Sequence, residues 1–213
     1  MSKLFNYLVV LDATWEQRKR ANFINSIGGF KSVCLIGTKN KSGQTNLAIF
    51  NSIVHIGANP TLIGFFVRPD SVDRHTLEYI METGLYTINH INENMYINAH
   101  QTSARYPQSI SEFKEVNLTE EYLNNFIVPY VKESHIKLGV EFKEKINIQL
   151  NGTILLIGEI KNIYIAPNCI KEDGFIDLEL AGTITCSGLD SYHTTHKLAR
   201  LSYAKPDKWP TQI

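Results

Sequence analysis

The chain has 213 residues, 43% of them hydrophobic and 20% charged, which suits a globular protein with one sizeable core. Lysine plus arginine and aspartate plus glutamate each number 21, so the zero net charge argues against steering by nucleic acid or an anionic membrane. Cys34, Cys169 and Cys186 are isolated in apolar runs and read as buried structural thiols, and the seven scattered histidines form no metal motif.

In chain order, the apolar patch at 4–11 is short, runs into Asp12 and Glu16, and lacks a small-residue cleavage site. Other apolar runs are strand length, far below the roughly 20 residues of a membrane span. The expectation is a cytoplasmic protein. After a polar segment at 14–22, β-rich runs at 31–38, 45–50 and 62–68 predict three successive core strands. Residues 39–43 form the first turn, with Gly43 free to take positive φ. The strand that follows offers Thr45, Asn46, Ala48, Asn51 and Ser52, residues of little bulk along which a planar ligand could lie close to the backbone.

Arg68-Pro69-Asp70 breaks the third strand, and Leu77, Ile80 and Met81 then fall at helical spacing over 73–83, between a candidate cap at Asp73 and Gly84. A strand follows at 85–91. Residues 93–99 are open between helix and loop, and 100–113 is polar. Thr119-Glu-Glu-Tyr122 predicts a short helix over 119–125. Asn151-Gly152, between 145–150 and 153–165, carries the signature of a two-residue hairpin, and Asp173-Gly174 makes a similar turn ahead of 175–180. Many strands, few helices and no βαβ rhythm predict a mainly β chain with flanking helices, closed or partly closed as an antiparallel barrel. With no repeat or linker, residues 1–213 read as a single domain.

Chemistry is concentrated in three stretches. Arg68 lies shortly before a helix start, a combination that can hold a phosphate, although a solvated strand end with a plain cap at Asp73 would look the same. Asn46-Leu47-Ala48 and Phe50-Asn51-Ser52 can supply backbone N–H groups and short polar side chains, as can any edge strand. His100-Gln-Thr-Ser-Ala-Arg-Tyr-Pro107 reads as a site-lining loop or a surface turn. Ser103 lacks a nucleophile elbow, and Cys34 lacks a histidine in any known arrangement.

As an ordered series these pieces resemble the flavin reductase-like FMN-binding family. The matching segments are Lys31-Ser-Val-Cys-Leu-Ile-Gly-Thr38, Thr45-Asn-Leu-Ala-Ile-Phe50, His55-Ile-Gly-Ala-Asn-Pro60, Arg68-Pro69, Thr76-Leu-Glu-Tyr-Ile80, Gly84-Leu-Tyr-Thr-Ile-Asn89, Ala99-His-Gln-Thr-Ser-Ala-Arg-Tyr-Pro107 and Ser111-Glu-Phe113. Gly188-Leu-Asp-Ser-Tyr192 and Leu201-Ser-Tyr-Ala-Lys-Pro206 extend the likeness toward the end of the chain. The resemblance implies a split β-barrel of antiparallel Greek-key type and a homodimer with FMN near the subunit interface. It implies that Asn46, Leu47 and Ala48 face the isoalloxazine, and that Phe50, Asn51, Ser52, Arg68 and Thr76 hold the ribityl phosphate. Thr45, Pro69, Asn89, His100 and Ser103 complete the implied lining. Tyr79 stands where such proteins often carry asparagine.

The implied activity is an FMN-dependent oxidoreductase that takes hydride from NADH or NADPH and passes electrons to free flavin or another acceptor. The alternative is an FMN-binding electron carrier of flavoredoxin type, reduced by a partner protein. A barrel that binds no flavin is the third reading. No Gly-x-Gly-x-x-Gly fingerprint is present, and a nicotinamide stacking on flavin needs none. Flavin itself carries the hydride, so no catalytic acid and base need stand in the sequence.

Overall fold

The computed structural model describes residues 14–69 and 74–213; the 4–11 patch and the Asp73 cap lie outside them. The described elements are α1 (Gln17–Ile27), β1 (Lys31–Ser32), β2 (Cys34–Lys39), β3 (Thr45–Phe50), β4 (Ile53–Ala58), β5 (Thr61–Val67), α2 (His75–Thr83) and β6 (Leu85–His90). They continue with α3 (Tyr96–Gln101), α4 (Glu112–Glu115), β7 (Glu120–Glu121), β8 (Tyr130–Val131), β9 (Lys137–Ile148), β10 (Thr153–Tyr164), β11 (Thr185–Ser187) and β12 (Ser191–His193).

Seven strands form one antiparallel sheet in the order β3-β2-β6-β9-β10-β5-β4. Its two edge strands, β3 and β4, are separated by only Asn51 and Ser52, so the sheet must curl to bring its edges together. Every neighbouring pair is antiparallel, which makes β3 and β4 run the same way, end to end. They therefore meet at a corner without sharing a ladder, and the barrel is split along that line. Register shifts in the β9–β10 pair next to Ile157 and Ile160 add the local bending that a curled sheet needs.

Alternation sorts the side chains of β2 into two cores. Cys34 and Ile36 point into the barrel with Phe65, Tyr86, Ile88 and Leu156, whereas Leu35 joins Leu47, Ile91 and Phe113 on the other face. Both faces are covered, which is why 33–38 reads as a continuous apolar run. Gly37 permits a close approach: a Cβ there would stand 2.5 Å from Thr87 Oγ1 and 2.6 Å from the Pro129 carbonyl oxygen. A smaller sheet, β1-β11-β12, lies beside the barrel, and β7 pairs with β8.

The structure corrects several expectations. Residues 119–125 are not helical, because Glu120 and Glu121 pair with β8 and both Asn124 and Asn125 take left-handed φ of 48° and 60°. The polar segment at 14–22 instead runs into α1, which buries no residue and so shows no core-facing stripe. A fourth strand, β4, intervenes between the second and third runs. The β9–β10 loop has four residues, since Ile148 pairs with Thr153; Gly152 takes a φ of 73° but Asn151 does not go positive, so the type I′ geometry is absent. Residues 175–180 contribute only an Ile170–Ile176 bridge before turning. Helix α2 closes as expected on Gly84 at φ 71°, whose N–H donates to the Ile80 carbonyl at 2.8 Å.

All three cysteines are buried, and desolvation followed by the nearby Cys186 pushes the Cys34 thiol up to about 12. At the end of β6, burial holds the His90 imidazole down at about 4, with Nδ1 3.3 Å from Thr183 Oγ1. The unfolded chain takes up this proton near pH 6.5, before the folded one does. Stability is therefore expected to fall by on the order of 2 kcal/mol as pH drops from about 6.5 toward about 4, after discounting for the side chain's partial exposure. Urea unfolding at both pH values, with His90→Gln flattening the difference, checks it.

Candidate functional site

The expected site residues gather along β3, an edge strand whose outer side has no strand partner. At its start, Thr45 Oγ1 donates to Glu120 Oε1 at 2.6 Å and lies 2.7 Å from Ser111 Oγ. The Asn46 amide donates to Thr38 Oγ1 at 3.1 Å and to Thr76 Oγ1 at 3.0 Å, tying the strand to the first turn of α2. The Leu47 N–H points away from β2 and donates to Glu112 Oε2 at 3.0 Å. Strand alternation aims the Ile49 N–H the same way. Leu47 itself is fully buried, so it presents backbone rather than side chain, and Ala48 is half-buried.

At the other end, Phe50 meets Phe65 edge-on at 4.9 Å between ring centroids. The Asn51 amide donates to the Gly188 carbonyl at 3.0 Å, fixing the corner to the small sheet. Ser52 Oγ donates to the Phe66 carbonyl at 3.1 Å and accepts the Phe66 N–H at 3.3 Å. This clamp leads the end of β5 onward from the corner, toward Arg68 and Pro69. Arg68 is exposed, while the Pro69 carbonyl accepts from Arg74 Nε and Nη2 at 3.4 and 3.3 Å. An unpaired seam thus runs along β3, with Asn51, Ser52 and Arg68 near one end and Asn46 and Thr76 near the other. At strand rise, the five steps from Asn46 to Asn51 cover roughly 16 Å.

Three expected residues stand apart. Asn89 is fully buried, and its side chain is committed: the amide donates to the Leu35 carbonyl and Thr87 Oγ1 at 3.2 and 2.9 Å, and Oδ1 accepts the Val131 N–H at 2.9 Å. His100 Nδ1 lies 2.7 Å from the Tyr192 hydroxyl, and the Ser103 N–H donates to the His100 carbonyl, so the hydrogen bonds of this exposed turn run to β12 and to itself. Thr76, expected with Arg68 at the phosphate, accepts a hydrogen bond from Asn46 through its hydroxyl. Tyr79 turns inward, 1% exposed, stacked on His75 at 6.3 Å.

Glu112 is a residue that the sequence did not single out by role. It is 5% exposed, and burial raises its carboxyl above the usual range, opposed by the Leu47 N–H and by His75. It anchors the otherwise unpaired edge of β3 to α4. The segment Ser111-Glu-Phe113 was visible as a motif, but nothing in it shows a contact to a strand 65 positions earlier. Two surface depressions, of about 580 Å³ beside Lys41 and Glu82 and about 280 Å³ beside Asn98 and His135, are lined by none of the expected residues.

Residues 30–178 match the family of flavin reductase like domains. The chain belongs to that family. This flavin reductase-like protein resembles a candidate flavin reductase with a split barrel domain from Shewanella frigidimarina at a TM-score of 0.87 and 53% identity, covering 90% of this chain and 95% of that one. It also shares its fold with nitrilotriacetate monooxygenase component B from Bacillus cereus, at a TM-score of 0.82 and 21% identity over 92% and 100% of the two chains. Flavoredoxin of Desulfovibrio vulgaris is a further fold neighbour, at a TM-score of 0.68 and 18% identity over 84% and 91%. Family membership assigns the flavin reductase-like split barrel to the oxidoreductase flavoproteins. Among its described residues, no helix is long and apolar enough to cross a membrane.

Proposed function

We propose that this chain is a cytoplasmic, homodimeric flavin reductase that binds FMN along the β3 seam and transfers hydride from NADH or NADPH to flavin or another acceptor. The observation that carries the reading is the seam itself: an edge strand whose outer side has no strand partner, ending at the Asn51–Ser52 corner, with the exposed Arg68 two residues beyond the clamped Phe66. The donor set fits the cofactor. Small side chains and the outward Ile49 N–H suit a flat heteroaromatic ring, and the exposed Arg68 guanidinium with Asn51 suits a phosphate. Thr45, Asn46, Leu47 and Ala48 would then border the ring, and Phe50, Asn51, Ser52, Arg68 and Pro69 the ribityl phosphate.

FMN would supply the hydride-accepting centre; this chain's residues bind, orient and cover it. The Asn46–Thr76 bond fixes the amide and so the strand's position against α2. Glu112 holds the Leu47 backbone in place, and the Ser52 clamp sets the distance from the corner to Arg68. With saturating FMN, the purified protein is expected to accelerate NADH or NADPH oxidation. An unchanged rate would remove the reductase reading while leaving flavin binding intact. The likeness to flavoredoxin favours a second reading, an electron carrier reduced by a partner protein. Rapid flavin reduction by NADPH alone would count against it.

A further inference from the structure

We propose that the depression at the β2–β3 turn receives the adenosine 2′-phosphate of NADPH between Lys39 and Lys41, and so selects NADPH over NADH. Its volume of about 580 Å³ falls in the range of small-molecule sites, and Lys39, Lys41, Glu82 and Ile127 are among its lining residues. Neither lysine ammonium is in an ion pair among the described residues. Their supports are fixed. The Lys39 ammonium lies 4.9 Å over the Tyr122 ring and 3.5 Å from its hydroxyl; that hydroxyl donates to Glu120 Oε2 at 2.8 Å, and Glu120 Oε1 accepts from Thr45 Oγ1. In the turn, the Gly43 N–H donates to the Asn40 carbonyl at 3.1 Å and the Gln44 N–H to Asn40 Oδ1 at 2.9 Å. The Lys41 N–H donates to Glu82 Oε2 at 3.1 Å, which ties the turn to α2.

The place suits a dinucleotide whose nicotinamide lies on the flavin. Lys39 is the register partner of Thr45, so the depression begins where the ring-bordering residues begin. The strand steps from Thr45 to Ala48 cover roughly 10 Å, and those from Thr45 to Asn51 roughly 20 Å. Two anionic cofactors can then share the seam with their phosphates at opposite ends, one beside Arg68 and the other beside the lysines. The extra phosphate decides between the nucleotides. It carries about −1.5 to −2 charges at pH 7, which two compact ammoniums match. A free carboxylate in the same place would instead suit the ribose hydroxyl of NADH. Here the lining carboxylate, Glu82, already accepts the Lys41 N–H, and Ile127, 57% exposed, offers an apolar wall to the adenine.

The inference rests on the reductase reading for the nicotinamide, and a direct binding measurement separates the two. The nucleotides 2′,5′-ADP and 5′-AMP carry no nicotinamide and differ only in the 2′-phosphate. In calorimetric titration of the full chain, 2′,5′-ADP is expected to bind at least about tenfold more tightly than 5′-AMP, by a margin that shrinks as salt rises. Lys39→Ala with Lys41→Ala is expected to bring the two affinities within about twofold, and Glu82→Gln to tighten 2′,5′-ADP binding. Lys41→Glu alters an exposed side chain, so it keeps the circular dichroism of the fold while weakening 2′,5′-ADP binding on its own. With saturating FMN, kcat/KM is expected to be at least about tenfold higher for NADPH than for NADH. Equal wild-type affinity for the two nucleotides, or a preference that survives both lysine variants, would overturn the phosphate pocket. A protein that shows the preference but oxidises neither NADPH nor NADH would support the pocket and overturn the reductase reading alone.

Discussion

Arg68→Ala is expected to weaken FMN binding by about 1.5 to 3 kcal/mol, a rise in dissociation constant of roughly ten- to a hundredfold, measured by quenching of FMN fluorescence. Its guanidinium is exposed and close in sequence to the clamped Phe66, so it is available to an anion in the seam. Riboflavin, which lacks the phosphate, is expected to bind equally to both proteins. This contrast separates a lost phosphate contact from a disturbed groove. An unchanged constant for FMN would remove Arg68 from the site.

The second large effect falls on stability. Glu112→Ala is expected to lower the unfolding free energy by about 2 to 3 kcal/mol, because the buried Leu47 N–H loses a carboxylate acceptor at 3.0 Å and an edge strand loses its anchor. Glu112→Gln keeps a carbonyl acceptor at the same reach and is expected to retain most of the stability. Urea unfolding of the two variants measures the difference. Equal losses would mean that the charge, rather than the hydrogen bond, holds α4 to β3.

The barrel strands were readable because burial leaves a local trace: β2 and β3 are apolar runs between turn residues, and the α2 terminus carries its glycine. Strand β4 left a weaker trace, being half-exposed and containing Gly57. Helix α1 left none, since none of its residues is buried. The 119–125 segment misled because its helix-like start says nothing of Glu133, whose carboxylate accepts the Thr119 N–H, or of the left-handed asparagines that follow.

In the site, the split is between backbone and partners. The run at 45–50 is found as an edge strand, and Arg68 is an exposed cation. For Asn89, a polar residue inside an apolar strand reads the same whether it faces a ligand or bridges Leu35, Thr87 and Val131 within the sheet, as its side chain does. The Asn46–Thr76 contact crosses 30 residues and the Leu47–Glu112 contact 65, distances over which one sequence carries no pairing signal.

The most direct test of the account is to purify the protein with excess FMN, remove the free flavin, and record the visible spectrum. A yellow protein retaining one FMN per chain, with flavin bands shifted from those of free FMN, is the predicted result. Colourless protein that leaves FMN fluorescence unchanged in titration would contradict it.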